Sequence, residues 1–451
     1  MSNLNLRSVT GKDGQPVMFP TGISIGAGAP GSVNAIGTPG QQCFGLGICP
    51  GPLPTGMAEM FGCRSAGSDN YGNYQYSDGS AMVWIPAFYY KWGTGSNGLA
   101  INAVSIQPFS TYADVATANA AGYALHRAFY DGGAVQQGVF VDKYIASNNG
   151  SIASSLKNGI VLTSAQRGSI ANTAYSTLTG SPANNLGGSI AAAKTRGSNF
   201  FCSSRFIFSA LALLSYAHAQ ASSSTTYCAW YVASGVSAPR GCNNNALGDA
   251  QDASILYVAD GNGTYAGCGK TGSANLFART THNGQNCGVA DLNGLVYEFT
   301  PGLTSDATNY FLLNTSVAMK SVTGSNTLAT DLWGATGYAA MYTNIGTTYG
   351  LLWATGVNRG VVYGNAAQVL SEATSGTAWA MTGFGVPLIG GIGGTNAFGN
   401  DYLYDYKPNE MAPLSGGDWG SSSNAGVWCL ALGDTRTDSN ASVGFRSALY
   451  L

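Results

Sequence analysis

Apolar residues recur at helical spacing in only two places along the chain. In Ser204–Gln220, Phe206, Ala210, Leu213, Leu214 and Ala217 fall on one face behind capping serines, and the segment closes at the loop ASSSTT. In Thr111–Ala121, Thr111 with Asp114 has the form of a capping box and alanines follow. Elsewhere the apolar residues come in short runs bounded by Gly, Asn, Ser and Asp, which is the spacing of short strands. The run MVWIPAFYYKW (Met82–Trp92) predicts the opening strand of a compact domain. In VWCLALGD, alternation places Trp428, Leu430 and Leu432 on a core face. Cys429, Ala431 and Gly433 then face outward, with Asp434 beyond the strand. The closing runs VWCLAL and VGFRSALYL predict a chain that ends within its sheet. The expected fold class is α+β, with few helices, short strands and long loops.

The segments GAGAPGS, GTPGQQ and CPGPLPTG show no helical period, so residues 1–56 are expected to form short strands and turns or an extended arm. Residues 1–80 are assigned as an N-terminal attachment and oligomerisation region, and 81–451 as the main domain. A Gly-, Thr- and Ala-rich tract at about 300–395, with strand-like pieces such as GVVYGNAAQVL, has the character of an insertion in that domain.

Charge changes this picture by exclusion. Charged residues are 9% of the chain, against roughly 25% in ordinary soluble proteins, and the net charge is -2. Without a Lys/Arg cluster to neutralise phosphates, nucleic acid is not an expected partner. The most apolar run, Ser209–Ala217, falls far short of the ~20 residues that span a bilayer, so no membrane insertion is expected. The start MSNLNLRSVTGKDGQP has no apolar signal core, and synthesis in the cytosol is expected.

Most motif-like stretches fail on inspection. Gly26–Gly31 matches a dinucleotide-binding pattern but carries a Pro and lacks a βαβ setting, so it is a turn. Gly267–Thr271 imitates the end of a P-loop, but Thr264 stands where that loop needs its first Gly. Of the three histidines, His126 sits in a strand pattern and His218 near a helix C-terminus; His282, in a loop, is the one weighed as functional. Asp249, Asp252 and Asp260 offer hard oxygen ligands for Ca²⁺, although a solvated acidic surface accounts for them more simply. The nine cysteines include no C-x2-C pair and read as buried free thiols, with one or two disulfides left open.

One stretch carries more information. GVADLNGLVYEF (Gly288–Phe299) turns into a strand with Val296 and Glu298 on one face and Leu295, Tyr297 and Phe299 on the other. It resembles the D-x-x-G-N-V-W-E-W signature of the formylglycine-generating-enzyme branch of the C-type lectin fold. MVWIP, the helix at Ser204–Gln220, GGDW (Gly416–Trp419) and VGFRSA (Val443–Ala448) resemble that family's other elements in the same order, over roughly residues 80–451. The copper-binding Cys pair that follows GGSW in the oxidising enzymes is absent, since only Cys429 stands there, and so are the Ca²⁺-dependent sugar-binding signatures of animal lectins. Arg446 and Glu298, as charges in core strands, are expected to be scaffold residues that pair with each other.

GGDWGSSSNAGVWCLALGDTRTDSNASVGFRSA is similar instead to the ending of variable proteins targeted by diversity-generating retroelements, among them the phage tropism determinants. That resemblance implies a ligand-binding surface on a rigid C-type lectin-like frame, with no catalysis. Its expected residues are Asp418, Trp419, Gly420, Ser421, Ser422, Ser423, Cys429, Ala431, Gly433, Asp434, Thr437, Asp438 and Asn440. Small polar residues with an occasional Trp suit such an adaptable surface. The resemblance further implies a tail receptor-binding protein of a phage or prophage, located in the virion, homotrimeric and attached to other tail proteins. Its ligand would be a bacterial surface protein or glycan; no cofactor is required, structural Ca²⁺ stays open and no metal ligands are assigned. An enzyme of the formylglycine-generating type with an atypical site, and a purely structural fibre or baseplate subunit, are the alternatives.

Overall fold

The computed structural model describes residues 32–100, 103–180, 185–232, 241–263, 267–322, 339–346, 358–360, 401–404 and 406–451. The longest helix, Arg205–Ala221, follows the sequence closely: Ser204 caps it by accepting from the Ile207 N–H at 3.3 Å. It is buried on every face from Arg205 to Ala219, not on one stripe alone, as a helix enclosed by a core must be. Its polar residues are accordingly bonded. Ser215 donates to the His282 carbonyl at 2.6 Å, and Arg205 donates to Ser415 Oγ at 2.7 Å. The second helix starts three residues later than its motif suggests. It spans Val115–Ala120, with Asp114 as the cap residue accepting from the Thr117 N–H at 2.7 Å.

Two six-stranded sheets carry most of the rest. The first has the order Met57–Glu59, Asn73–Tyr76, Ala81–Pro86, Gly138–Asp142, Ser447–Leu449, Phe201–Cys202. The second has the order Asn358–Gly360, Tyr402–Tyr404, Leu430–Ala431, Leu414–Ser415, Tyr297–Phe299, Val443–Gly444. Smaller sheets flank them, among them Leu303–Ser305, Tyr310–Leu313 and Tyr342–Gly346. The described residues are thus mostly short strands and long connections with few helices. Among them no helix is long and apolar enough to cross a membrane.

The boundary placed at residue 80 does not separate two bodies. Met57–Glu59 and Asn73–Tyr76 belong to the same sheet as Ala81–Pro86, and Ile36, Phe44, Leu46 and Ile48 are fully buried in the main core. Those apolar residues stand singly among Gly and Pro turns, so no period betrays them. The insertion expected at 300–395 lies largely outside the described residues, as does GVVYGNAAQVL beyond Gly360.

The last strand, Ser447–Leu449, lies inside the first sheet between Gly138–Asp142 and Phe201–Cys202. The chain crosses from the second sheet to the first at Phe445–Arg446, and Arg446 ties the two together. It makes a two-pronged pair with Glu298 (2.7 and 2.6 Å) and donates to the backbone carbonyls of Asp142 (3.1 Å) and Ala290 (2.9 Å). Both side chains are buried. A second buried pair, Arg196 with Asp142 at 2.6 and 3.1 Å, also braces the first sheet.

Candidate ligand-binding surface

Two loops leave the second sheet side by side in sequence. The first follows Leu414–Ser415, where Gly416 (φ 94°) and Gly417 (φ 86°) both occupy the left-handed region. A Cβ on Gly417 would lie 2.7 Å from that of Ala425, so the loop's two limbs close only on glycine. Asp418 organises the turn: its Oδ1 accepts from the Gly420 N–H at 3.0 Å and from the Ser421 hydroxyl at 2.8 Å. Trp419 folds inward and is 9% exposed, packed in a cluster with Cys242, Tyr257, Cys268 and Leu295. Its backbone is held at both ends, by the Leu295 carbonyl at 3.2 Å and the Asn245 N–H at 2.7 Å. Gly420 and Ser422 are exposed, and Ser423 is half-buried with its carbonyl accepting from Gln251 at 3.2 Å.

The second loop runs from Gly433 to Ala441. Gly433, Thr437, Asp438 and Asn440 are exposed and Asp434 is half-buried. Asp438 closes the turn by accepting from the Thr435 N–H at 2.6 Å. Between Thr435 and Thr437, the Arg436 side chain points the other way and is buried, donating to Thr304 Oγ1 at 2.8 Å. Asn440 is fixed by Ser164, whose Oγ accepts from its N–H at 2.7 Å and donates to its carbonyl at 2.9 Å.

A third segment, 164–168, joins the two loops and was not legible in the sequence. One end holds Asn440 through Ser164 and Ala165; at the other, the buried Arg167 guanidinium lies 5.2 Å from the Trp419 ring and pairs with Asp260 at 2.9 Å. Gln166 and Gly168 are exposed between these anchors. The surface therefore comprises three backbones anchored from below, with Gln166, Gly168, Gly420, Ser422, Gly433 and Thr437 exposed on them. Nothing in the polar sequence TSAQRGS (Thr163–Ser169) distinguishes such a segment from any other surface turn.

Two expected contact residues belong elsewhere. Cys429 and Ala431 are buried, because Leu430–Ala431 is a central strand covered on both faces. Trp428 packs near Trp92 and Tyr216, while Ala431 joins Phe299, Leu414 and Phe445 on the opposite side. Cys429 Sγ lies 3.9 Å from the Tyr297 hydroxyl, and burial pushes its thiol up to about 12. Alternation sorted the faces correctly but not which of them met water.

The other candidates for chemistry are structural. All nine cysteines are buried and none is in a disulfide. His282 is fully buried, its Nδ1 accepting from the Val289 N–H at 3.0 Å, and burial drives its pKa down to about 3. His218 bridges two chain segments, accepting from the Gly40 N–H at 3.0 Å and donating to the Tyr227 carbonyl at 2.8 Å. Asp249 and Asp260 are buried, contrary to a solvated acidic surface, and Asp252 pairs with Arg279 at 3.1 Å. Asp249 accepts from the backbone of Gln251 and Asp252, so the trio is divided among separate partners. No group of three or more His, Cys, Asp or Glu able to hold a metal occurs among the described residues.

Asp434 is the group on this surface whose charge responds to mild acid. Burial, and then the neighbouring charge of Asp438, push its pKa up to about 6. An acid whose pKa is higher folded than unfolded binds its proton more tightly in the fold, so stability contributed here rises as pH falls from above 6 toward 4. We expect Asp434→Asn to unfold at a higher temperature than the parent at pH 7.5, with the gap shrinking steadily to pH 4.5. A gap independent of pH would show that Asp434 titrates normally.

No protein-family description matches the chain, and no curated protein matches its sequence. Among solved structures it is similar to the Major Tropism Determinant M1 variant, at 11% identity and a TM-score of 0.30, over 82% of this chain and 63% of that one. The P3c variant matches at 12% identity and a TM-score of 0.29, over 83% of this chain and 65% of that one. The U1 variant matches at 10% identity with the same TM-score of 0.29 and the same coverages of 83% and 65%. The chain spans less than two thirds of the length of these neighbours.

Proposed function

We propose that this chain is a receptor-binding protein of a phage or prophage tail, which recognises a bacterial surface protein or glycan through the loops at 418–424 and 433–440. The observation that carries this reading is the division of labour within those loops. Asp418, Trp419, Ser421, Arg436, Asp438 and Asn440 hold the backbones, and Gly420, Ser422 and Thr437 stand outward on them. Preorganised backbones lower the ordering cost of binding, and exchangeable side chains set what is bound. The ordered resemblance of residues 416–448 to retroelement-targeted variable proteins supports the same assignment. The C-type lectin-like frame, the virion location and a homotrimeric assembly are parts of this proposal. Weak single sites on such an assembly gain roughly 10²–10⁴ in avidity when several engage one cell.

Binding, not catalysis, is the activity proposed, because the thiols and imidazoles of the described residues lie in the core. The test is adsorption of the purified, labelled chain to intact bacteria of several strains. Saturable binding to some strains and not others is the expected result. Uniform retention by every strain, or by none of a broad panel, would contradict a receptor-binding role.

A further inference from the structure

A second recessed site lies away from the loops, at one end of the first sheet. It is a cleft of about 650 Å³ lined by Tyr76, Phe200 and Tyr450 together with Pro52 and Pro54. Its aromatic walls are fixed from behind. Tyr76 and Phe200 meet edge to face at 4.9 Å, and the Arg196 guanidinium lies 4.9 Å from the Phe200 ring while bound to Asp142. Tyr450 donates to the Ala128 carbonyl at 2.6 Å and stacks on Phe201 at 5.2 Å. The rim is polar. Thr55, Ser198 and Asn199 line the cleft, Ser198 and Asn199 are exposed, and none of the three side chains is engaged in a hydrogen bond within the chain.

We propose that this cleft binds a neutral saccharide. The half-buried Tyr76, Tyr450 and Pro54 and the exposed Pro52 offer apolar surface to the C–H face of a sugar ring, and an unengaged amide with two unengaged hydroxyls matches its hydroxyl groups. No charged side chain lines the cleft, so sialylated and uronic-acid glycans lack a partner for their carboxylates. A purely apolar ligand would bury the amide and hydroxyls without hydrogen bonds, at a cost. None of the residues of the 418–424 and 433–440 loops contributes, so this site is independent of the proposed receptor surface.

The test uses the full chain on an array of neutral glycans (hexose, 6-deoxyhexose and N-acetylhexosamine oligomers) beside sialylated and uronic-acid-bearing ones. Retention on one or more neutral glycans and on no acidic one is expected. Asn199→Ala should weaken it about tenfold, the effect of one lost hydrogen bond. Thr55→Arg, at an exposed position, should abolish it by filling the cleft, with thermal unfolding unchanged in both variants. Ser422→Arg with Thr437→Arg should leave glycan retention intact, which separates failure of this site from failure of the loop surface. Retention on acidic glycans, retention unaffected by Asn199→Ala and Thr55→Arg, or no retention on any neutral glycan would overturn the proposal.

Discussion

Arg446→Met is expected to destabilise the fold by about 3–5 kcal/mol, enough to leave little soluble protein at 37 °C. The loss comes chiefly from what stays behind. Glu298 is buried, and both its oxygens are bound by Arg446 at 2.7 and 2.6 Å; without that partner it is a charge in the core or a protonated acid with unmet bonds. The carbonyls of Asp142 and Ala290 lose a donor at the same time. Arg446 lies where the chain changes sheets, so the damage falls on the joint between the two. Replacing the pair together, Arg446→Met with Glu298→Met, is expected to recover part of the loss, because two apolar side chains leave no uncompensated charge. Urea denaturation midpoints of the single and double variants check this. A single variant as stable as the parent would show that the pair does not hold the sheets together.

Trp419→Ala is the second large effect, at about 3–5 kcal/mol for a buried Trp truncated to Ala. Sequence reasoning placed Trp419 among the contact residues, but its ring is nearly all covered, lying over Arg167 and clustered with Leu295. Its removal empties the space beneath the first loop and takes the ring from a buried cation whose ion-pair partner is Asp260. The variant should show a lower urea midpoint and faster proteolysis within 418–424, while Trp419→Phe should lose less than half as much. Ser422→Ala, on the same loop but exposed, should change stability by less than about 0.5 kcal/mol. If Trp419→Ala matched Ser422→Ala in stability, Trp419 would be a surface residue after all.

The contrast between those residues shows what a sequence carries. The long helix was legible because capping serines and a sustained apolar spacing coincide, and the Arg446–Glu298 pair because two charges in apolar strands need each other. Depth within the fold was not. Cys429 and Ala431 alternate with core residues, and alternation tells one face from the other without telling how many faces are covered. Residues 33–76 were hidden for a different reason: Ile36, Phe44, Leu46 and Ile48 enter the core singly, from turns, and leave no period to detect. The segment at 164–168 reaches the candidate surface only through tertiary contacts made far later in the chain, with Trp419 and, 276 residues from Ser164, Asn440.

The most direct test of the receptor-binding surface compares the parent with Ser422→Arg, Thr437→Arg on the strain that adsorbs the parent best. Both positions are exposed, and the substitutions place bulky charges where a ligand would sit without touching the anchors. The account predicts an unchanged unfolding transition and at least a tenfold loss of adsorption. Full adsorption by the folded double variant would contradict it and place recognition on another face of the protein.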